Sequence, residues 1–226
     1  AITKKTKAIM PVHLTGRVAE MKEIIKISEK YKIPIIEDAA QSIGSKYYGR
    51  PSGSFGKVGC FSAHPLKNLN GIGDCGFLTT SDKKLFLSAK KMRNHGLQDR
   101  NIVKNFGFLS RMDVIQAAVL NYRIKNLSGI VSSRRKNADF YFKNLDRKKF
   151  EVIEEKKYQF NTYHTFVIQT DRREKLKKYL FKNDIGTAIH YPIPIHLQPA
   201  AKYLGYKKGS FPNTEKQSRK TLTLPI

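Results

Sequence analysis

The feature that most constrains the fold is a strand–helix–strand pattern near the start of the chain. Residues 7–14 form an apolar run that predicts a buried strand, and residues 21–31 carry apolar side chains at helical spacing among lysine and glutamate. Pro34 breaks the helical pattern inside residues 33–36, an apolar run typical of a parallel sheet. Two strands joined by a helix within about 30 residues predict a right-handed crossover and an α/β fold.

Alternating strands and helices continue along the chain. Further strands are predicted at residues 58–62, 76–80, 164–169 and 186–191, and further helices at residues 83–93, 113–124, 131–145 and 172–183. Composition becomes strongly charged across residues 146–160, which indicates entry into a smaller domain. We therefore predict a large α/β domain over residues 1–130, with a mixed, mostly parallel sheet flanked by helices. A smaller α+β domain is predicted over residues 131–226.

Polar side chains that could take part in binding or catalysis lie where the predicted strands end. Asp38 and Gln41 follow the apolar run at residues 33–36, and Ser62 closes the next strand. Ligands in open α/β sheets bind beyond the carboxyl ends of strands, so these side chains are in a suitable place. Lys67 comes next and is backed by the glycine-rich residues 71–76. A lysine taken alone is usually a solvated surface charge, so its neighbours are what single it out.

Charge and composition limit the classes of function that the chain can have. The net charge is +25 and the pI is near 10.0, which alone would suggest nucleic acid or an anionic surface. The lysines are spread along the whole chain, however, and no zinc-finger, RNA-recognition or basic-zipper signature accompanies them. A positive field of this kind is expected to attract an anionic small substrate. The sequence has no apolar stretch near the ~20 residues of a membrane span, and its His and carboxylate residues lack metal-site spacing.

Six short motifs in order resemble one family. The motifs are Pro11-Val12-His13-Leu14, residues 37–42 (beginning Glu37-Asp38), residues 61–68 (ending Lys67-Asn68), residues 93–96, residues 110–118 and residues 190–199. Together they resemble the DegT/DnrJ/StrS family of sugar aminotransferases. These enzymes use pyridoxal 5′-phosphate (PLP) on a fold-type-I architecture like that of aspartate aminotransferase. The resemblance covers the 226 residues from one end to the other.

The resemblance implies a role for five residues. Lys67 matches the lysine that holds PLP as a Schiff base and moves protons once released. Asp38 matches the carboxylate at the pyridine nitrogen, where a negative charge keeps the ring an electron sink. Gln41 matches an amide donor near the phenolic oxygen, and Ser62 matches a hydroxyl at the phosphate. His196 matches a position that reaches the nucleotide-sugar region.

Structural alternatives stand beside these roles. Asp38 could be an ordinary loop or helix-cap aspartate, Ser62 an ordinary strand-end serine, and His196 a structural histidine. His64 could tune the site or only pack. We expect structural roles for three further histidines, His13, His95 and His164.

The chain also departs from the family pattern. Many members read Gly-Tyr-Asn-Ser-Arg where residues 107–111 place Leu109 in the asparagine position. That asparagine is associated with a phosphate contact across the dimer, so we expect the contact to be absent or replaced. The family also has a large N-terminal part that binds the phosphate and stacks an aromatic ring on the cofactor. We expect the chain to be cut at both ends of a longer protein.

The resemblance implies a homodimeric enzyme, which we expect to be cytoplasmic. It would transfer an amino group, with L-glutamate as the expected donor, to a keto group of a nucleotide-linked sugar in amino-sugar or polysaccharide biosynthesis. The two cysteines suit a reducing compartment. The alternative is a catalytically incomplete fragment or relative that acts as a binding or regulatory module, including nucleic-acid binding through its basic surface. Salt-dependent association with RNA or DNA would favour that alternative.

Overall fold

The computed structural model describes residues 1–226 and divides them into two units. The first unit contains Ala1–Arg135 and Lys156–His164, and the second contains Lys136–Glu155 and Thr165–Ile226. The helices are α1 (Met21–Tyr31), α2 (Lys83–Met92), α3 (Val114–Arg123), α4 (Leu127–Asn144), α5 (Arg173–Lys182) and α6 (Pro212–Lys220). The strands are β1 (Ile36–Asp38), β2 (Lys46–Tyr47), β3 (Arg50–Pro51), β4 (Val58–Ser62), β5 (Gly76–Thr79), β6 (Glu151–Val152), β7 (Gln159–Phe160), β8 (Phe166–Gln169) and β9 (Thr221–Leu224).

The sheet that positions the site has the order β1-β4-β5. Strands β1 and β4 are parallel, with Asp38 opposite Cys60, and β4 and β5 are antiparallel. The segment before α1 pairs with Ile35 and with β1 only through isolated parallel bridges, at Ile9–Ile35 and Val12–Asp38. The prediction of a continuous strand over residues 7–14 is therefore wrong, although the predicted parallel direction is confirmed. Pro11 has no N–H to donate to a ladder, which is one physical reason that the strand is interrupted.

Helix α1 has the bounds that its apolar spacing predicts. It ends at Tyr31, and the next residue, Lys32, adopts a left-handed conformation and donates its N–H to the Glu29 carbonyl. Met21 and Val18 are fully buried and pack with Ile35 and Tyr47 in one core cluster. The other predicted helices are present within a few residues of the expected limits.

A second core cluster lies beneath the lysine segment. Ala63, Leu69 and Leu120 are buried there, and Cys75 and Phe77 pack against them. The cluster joins the ends of β4 and β5 to α3. It therefore supports the loop on which Lys67 lies.

The second unit is built on the antiparallel sheet β6-β8-β9. Phe166 and Ile168 of β8 are buried, and the ring of Tyr141 stacks on Phe166 with centroids 4.7 Å apart. The prediction of a strand over residues 186–191 is wrong, because that segment makes a single antiparallel bridge, Ala188 to Thr223. Strand β9 and helix α6 were not predicted.

The predicted division after residue 130 falls inside α4, five residues before the first unit reaches its boundary at Arg135. Lys156–His164 also belongs to the first unit, whereas the prediction placed these residues in the smaller domain. The interpretation of the two units as a large cofactor domain and a small domain stays a prediction. No helix has the length and apolar character needed to cross a membrane.

Candidate functional site

Asp38 and Ser62 lie at the same edge of the main sheet. Strand β1 ends at Asp38 and strand β4 ends at Ser62, and the two strands are parallel. The backbone of Asp38 is held on both sides, because its N–H donates to Pro11 O at 3.0 Å and its carbonyl accepts from the His13 N–H at 3.0 Å. Its Oδ1 accepts the Ala40 N–H at 3.1 Å. One oxygen of the Asp38 carboxylate is therefore engaged with the backbone N–H two residues further along the chain.

Lys67 is half-buried in the loop that follows β4. Its backbone N–H donates to the His64 carbonyl at 2.8 Å. Burial lowers the pKa of the Lys67 amine below its ordinary value, and the negative charge of Asp38 opposes that shift. The two side chains are thus within electrostatic reach of one another. A lysine with a lowered pKa has more of the neutral, nucleophilic amine at neutral pH.

The loop that carries Lys67 is fastened to helix α3. Arg123 Nη1 donates to Asn70 O at 2.8 Å and to Asn70 Oδ1 at 2.8 Å, and Asn70 Nδ2 donates to Pro65 O at 2.7 Å. Gln116 Oε1 accepts the Ile72 N–H at 2.8 Å. Helix α3 therefore holds the part of the loop that follows the lysine, and Asn70 links that part to Pro65 on the other side.

Gly71 allows that close approach. A Cβ at this position would lie 2.6 Å from Cys75 Sγ and 2.6 Å from Gln116 Oε1. Both distances are shorter than real Cβ contacts. The glycine-rich run behind the lysine thus has a packing reason at this residue.

The amide of Gln41 has a fixed orientation. The Thr15 N–H donates to Gln41 Oε1 at 2.7 Å. Because a backbone N–H can only donate, the oxygen of the amide must face Thr15, and the NH₂ group remains available as a donor. Thr15 adopts the left-handed region, with φ of 62°. The turn before α1 therefore orients a predicted site residue.

Ser62 and His64 form a local chain of hydrogen bonds ahead of the lysine. Ser62 Oγ accepts the His64 N–H at 3.3 Å, and His64 Nδ1 accepts the Leu66 N–H at 3.2 Å. His64 Nε2 lies 3.7 Å from Asp74 Oδ1, and both side chains are substantially exposed. The Ser62 hydroxyl keeps its own proton free to donate.

A buried carboxylate, that of Glu37, lies directly before Asp38. His13 Nε2 lies 2.9 Å from Glu37 Oε2, and both side chains have no exposed surface. Burial raises the pKa of Glu37, but hydrogen bonds from His13 and from the backbone of Gly56 and Gly53 outweigh it, so the net pKa is lowered. Burial, followed by the charges of Asp38 and Glu37, raises the pKa of the Cys60 thiol. Negative potential is therefore concentrated at this edge.

His196 lies in the second unit, in the proline-bounded loop. It is buried, its Nε2 lies 3.1 Å from Glu215 Oε1, and its ring meets Phe211 edge-on with centroids 4.8 Å apart. Glu215 Oε1 also accepts the Gly209 N–H at 2.7 Å. These contacts give His196 a structural role within its own unit, and its predicted contact with the sugar nucleotide stays a prediction.

Several supporting residues were missed by sequence reasoning. Glu37 carried a usable signal, since it is a charged residue at a position where a buried strand was predicted. Arg123 carried none, because its partner Asn70 lies 53 residues away in the chain. Asn68 likewise donates to Thr162 O at 3.0 Å across 94 residues. Contacts of this kind depend on the tertiary fold.

The first unit supplies groups that fit the chemistry of PLP. They are an amine with a lowered pKa, a carboxylate at the end of a parallel strand, an amide with a free NH₂ group and a hydroxyl at a second strand end. These groups correspond in type to what a carbonyl, a pyridine nitrogen, a phenolic oxygen and a phosphate require. The structure contains no cluster of three or more His, Cys, Asp or Glu residues that could hold a metal ion.

Comparisons with known proteins agree with this chemistry. A family model described as the DegT/DnrJ/EryC1/StrS aminotransferase family matches residues 1–226. A "Pleiotropic regulatory protein" of Geobacillus stearothermophilus is 37% identical over 229 residues, covering 100% of this chain and 62% of the relative. A protein of Acidithiobacillus ferrooxidans named as a UDP-N-acetyl-3-dehydro-α-D-glucosamine 3-aminotransferase is 36% identical over 226 residues, covering 100% of this chain and 61% of the relative.

A solved structure with the same fold adds to these relatives. The crystal structure of S. venezuelae DesV in complex with a ketimine intermediate matches with a TM-score of 0.95 and 35% identity. The match covers 100% of this chain and 61% of DesV. The fold-type-I expectation is confirmed. The chain spans about three fifths of the length of the relatives that it matches.

Proposed function

The chain belongs to the DegT/DnrJ/EryC1/StrS aminotransferase family, and we propose that it forms much of a PLP-dependent sugar aminotransferase. The enzyme transfers an amino group from L-glutamate to a keto group of a nucleotide-linked sugar. The product belongs to amino-sugar or polysaccharide biosynthesis.

One observation carries this proposal. The amine of Lys67 has a pKa lowered by burial, and the charge of Asp38 acts on that same amine. A lysine amine whose pKa is lowered, within electrostatic reach of a carboxylate at a sheet edge, matches the two attachments that PLP needs, one at its aldehyde and one at its ring nitrogen.

Each residue then has a separate task. Lys67 binds the cofactor and, when released, holds or moves a proton at Nζ. Asp38 balances positive charge on the ring nitrogen, and Gln41 directs its free NH₂ group to an oxygen acceptor. Ser62 offers a hydroxyl proton to a phosphate oxygen. When bound, PLP supplies an electron sink that stabilises negative charge at the substrate carbon.

The nucleotide-sugar substrate is supported from two directions. The Acidithiobacillus ferrooxidans relative carries a UDP-sugar in its name. The net charge of +25 would also raise the local concentration of an anionic diphosphate. Within this proposal, His196 fixes the loop that contacts the substrate. The variant His196→Gln should raise KM for the sugar nucleotide more than it lowers kcat.

The proposed assembly is a cytoplasmic homodimer. An apolar segment of the first unit is strongly exposed, with Phe106 at 97%, Val114 at 86% and Leu109 at 64%. A second copy would remove this surface from water. Leu109 lacks the polar group of the family's asparagine, so its contribution at such an interface would be apolar packing. Both cysteines are free, which suits a reducing compartment.

Amino transfer is tested directly with the full-length gene product loaded with PLP. Incubation with L-glutamate, without acceptor, should yield about one equivalent of 2-oxoglutarate per bound cofactor; L-aspartate and L-glutamine serve as alternative donors. The variant Lys67→Ala should yield none. The control Lys57→Ala should behave as wild type, since Lys57 is an exposed lysine whose nearest carboxylate is Asp82 at 3.9 Å. If wild-type protein binds PLP but no amino acid yields an oxo acid, amino transfer is refuted.

A further inference from the structure

The carboxylate of Glu37 is saturated with hydrogen-bond donors. Oε2 accepts from His13 Nε2 at 2.9 Å and from the Gly53 N–H at 2.7 Å. Oε1 accepts from the Phe55 N–H at 2.6 Å and from the Gly56 N–H at 2.6 Å. A buried carboxylate is tolerated only when donors replace its hydration. Four donors from two other segments therefore fix Glu37 in one position.

The hydrogen bonds of His13 define its tautomer. Its Nδ1 faces the Ala19 N–H at 3.2 Å, so Nδ1 must accept. The proton of a neutral imidazole is then on Nε2, which donates to Glu37. In this tautomer the imidazole donates from Nε2 to the Glu37 carboxylate and accepts at Nδ1 from Ala19.

Both partners of the pair connect to Asp38, and each also connects to a second predicted site residue. Glu37 directly precedes Asp38 on β1, and its donors at residues 53–56 lie directly before β4, which ends at Ser62. His13 donates its own N–H to Asp38 O at 3.0 Å and begins the turn whose Thr15 N–H holds Gln41. The segments that support Asp38, Ser62 and Gln41 therefore meet at the buried contact between His13 and Glu37.

We propose that His13 and Glu37 are positioning residues that hold Asp38 and Gln41 in place for the cofactor. This inference rests on the proposed function. Neither residue needs to touch the cofactor, because each acts through the backbone and turn that it fixes. The geometry also requires the Nε2–H tautomer of His13.

The central variant is Glu37→Gln, which keeps the shape but changes the hydrogen bonding. A glutamine oxygen can still accept from Phe55 and Gly56, but its NH₂ group would then face the donors Gly53 N–H and His13 Nε2–H. The matched control is Glu20→Gln. Glu20 is a glutamate of the same unit that accepts from Tyr47, Tyr158 and Lys156, and it contacts neither Asp38 nor Gln41.

Two readouts separate positioning from stability. The first is the PLP dissociation constant of the full-length gene product, where Glu37→Gln should weaken binding at least tenfold and Glu20→Gln less than twofold. The second is the ¹H–¹⁵N spectrum of the cofactor-free protein. There the Asp38 backbone amide and the Gln41 side-chain NH₂ should shift in Glu37→Gln and stay unchanged in Glu20→Gln.

The outcomes distinguish this inference from the proposed function. If wild-type protein binds no PLP, the proposed function fails, and the cofactor-free spectra still support or refute positioning. Equal effects of the two variants on the Asp38 and Gln41 signals would overturn the inference. If Glu37→Gln does not fold, His13→Gln, which retains a donor for Glu37, replaces it. Imidazole ¹⁵N shifts of wild-type His13 that place the proton on Nδ1, or on both nitrogens, would also overturn it.

Discussion

Arg123→Met should loosen the loop that carries Lys67 without unfolding the protein. The guanidinium donates to two oxygens of Asn70, each at 2.8 Å, and these bonds fasten the loop to α3. Methionine retains much of the apolar stem but none of the donors. Hydrogen bonds that involve a charged group contribute about 1.5–3 kcal/mol each when buried. Because this contact is only partly buried, water replaces some of it, and we expect a net loss of about 2 kcal/mol for the pair.

Hydrogen exchange measures that loss at the loop itself. A loss of about 2 kcal/mol corresponds to roughly thirtyfold faster exchange through local opening. The informative amides are Gly71, whose N–H donates to Ala63 O at 2.7 Å, and Ile72, whose N–H donates to Gln116 Oε1 at 2.8 Å. The control Arg173→Met removes an arginine that donates to a backbone carbonyl, Ser218 O, in the other unit. Unchanged exchange at Gly71 and Ile72 in Arg123→Met would refute the reasoning.

Three further predictions concern stability. Gly71→Ala should lower the unfolding free energy by about 1–3 kcal/mol through overpacking, and an unchanged denaturation midpoint would contradict the 2.6 Å approach to Gln116. Asp82→Ala should cost about 1 kcal/mol in chemical denaturation because Asp82 caps α2; Asp82→Asn should retain most of that stability, and equal losses would argue against capping. Acid should destabilise the protein through Glu37, whose pKa is lowered because its hydrogen bonds outweigh the opposing effect of burial. That stabilisation is complete above the ordinary pKa of 4.5 and is lost as the pH falls through the lower folded value. Glu37→Gln should flatten this part of the pH–stability curve, and an unchanged curve would contradict the assignment.

Local patterns were sufficient where the structure is local. Helix α1 follows its own apolar spacing, and its residues pack on a neighbouring strand as an amphipathic helix should. The placement of Asp38 and Ser62 at one sheet edge was also predictable, because the carboxyl ends of parallel strands meet there.

Non-local pairing explains what the patterns missed. Strand β9 does alternate in sequence (Thr-Leu-Thr-Leu), but it is only four residues long and all four are buried. Its partner β8 lies more than fifty residues earlier, and nothing local to residues 221–224 shows that pairing. Residues 7–14 have a strand-like composition, yet Pro11 interrupts the ladder. Arg123 bonds to Asn70 in the Lys67 loop, and Thr15 bonds to Gln41. Only folding brings these residues together.

The central claim is that Lys67 holds the cofactor. The most direct measurement is borohydride reduction of the PLP-treated full-length gene product, followed by peptide mapping by mass spectrometry. We expect a stable pyridoxyl-phosphate adduct on the peptide that contains Lys67, and no such adduct in Lys67→Ala. A folded, PLP-binding protein whose adduct lies on another lysine, or that retains its visible cofactor absorbance in Lys67→Ala, would contradict the account.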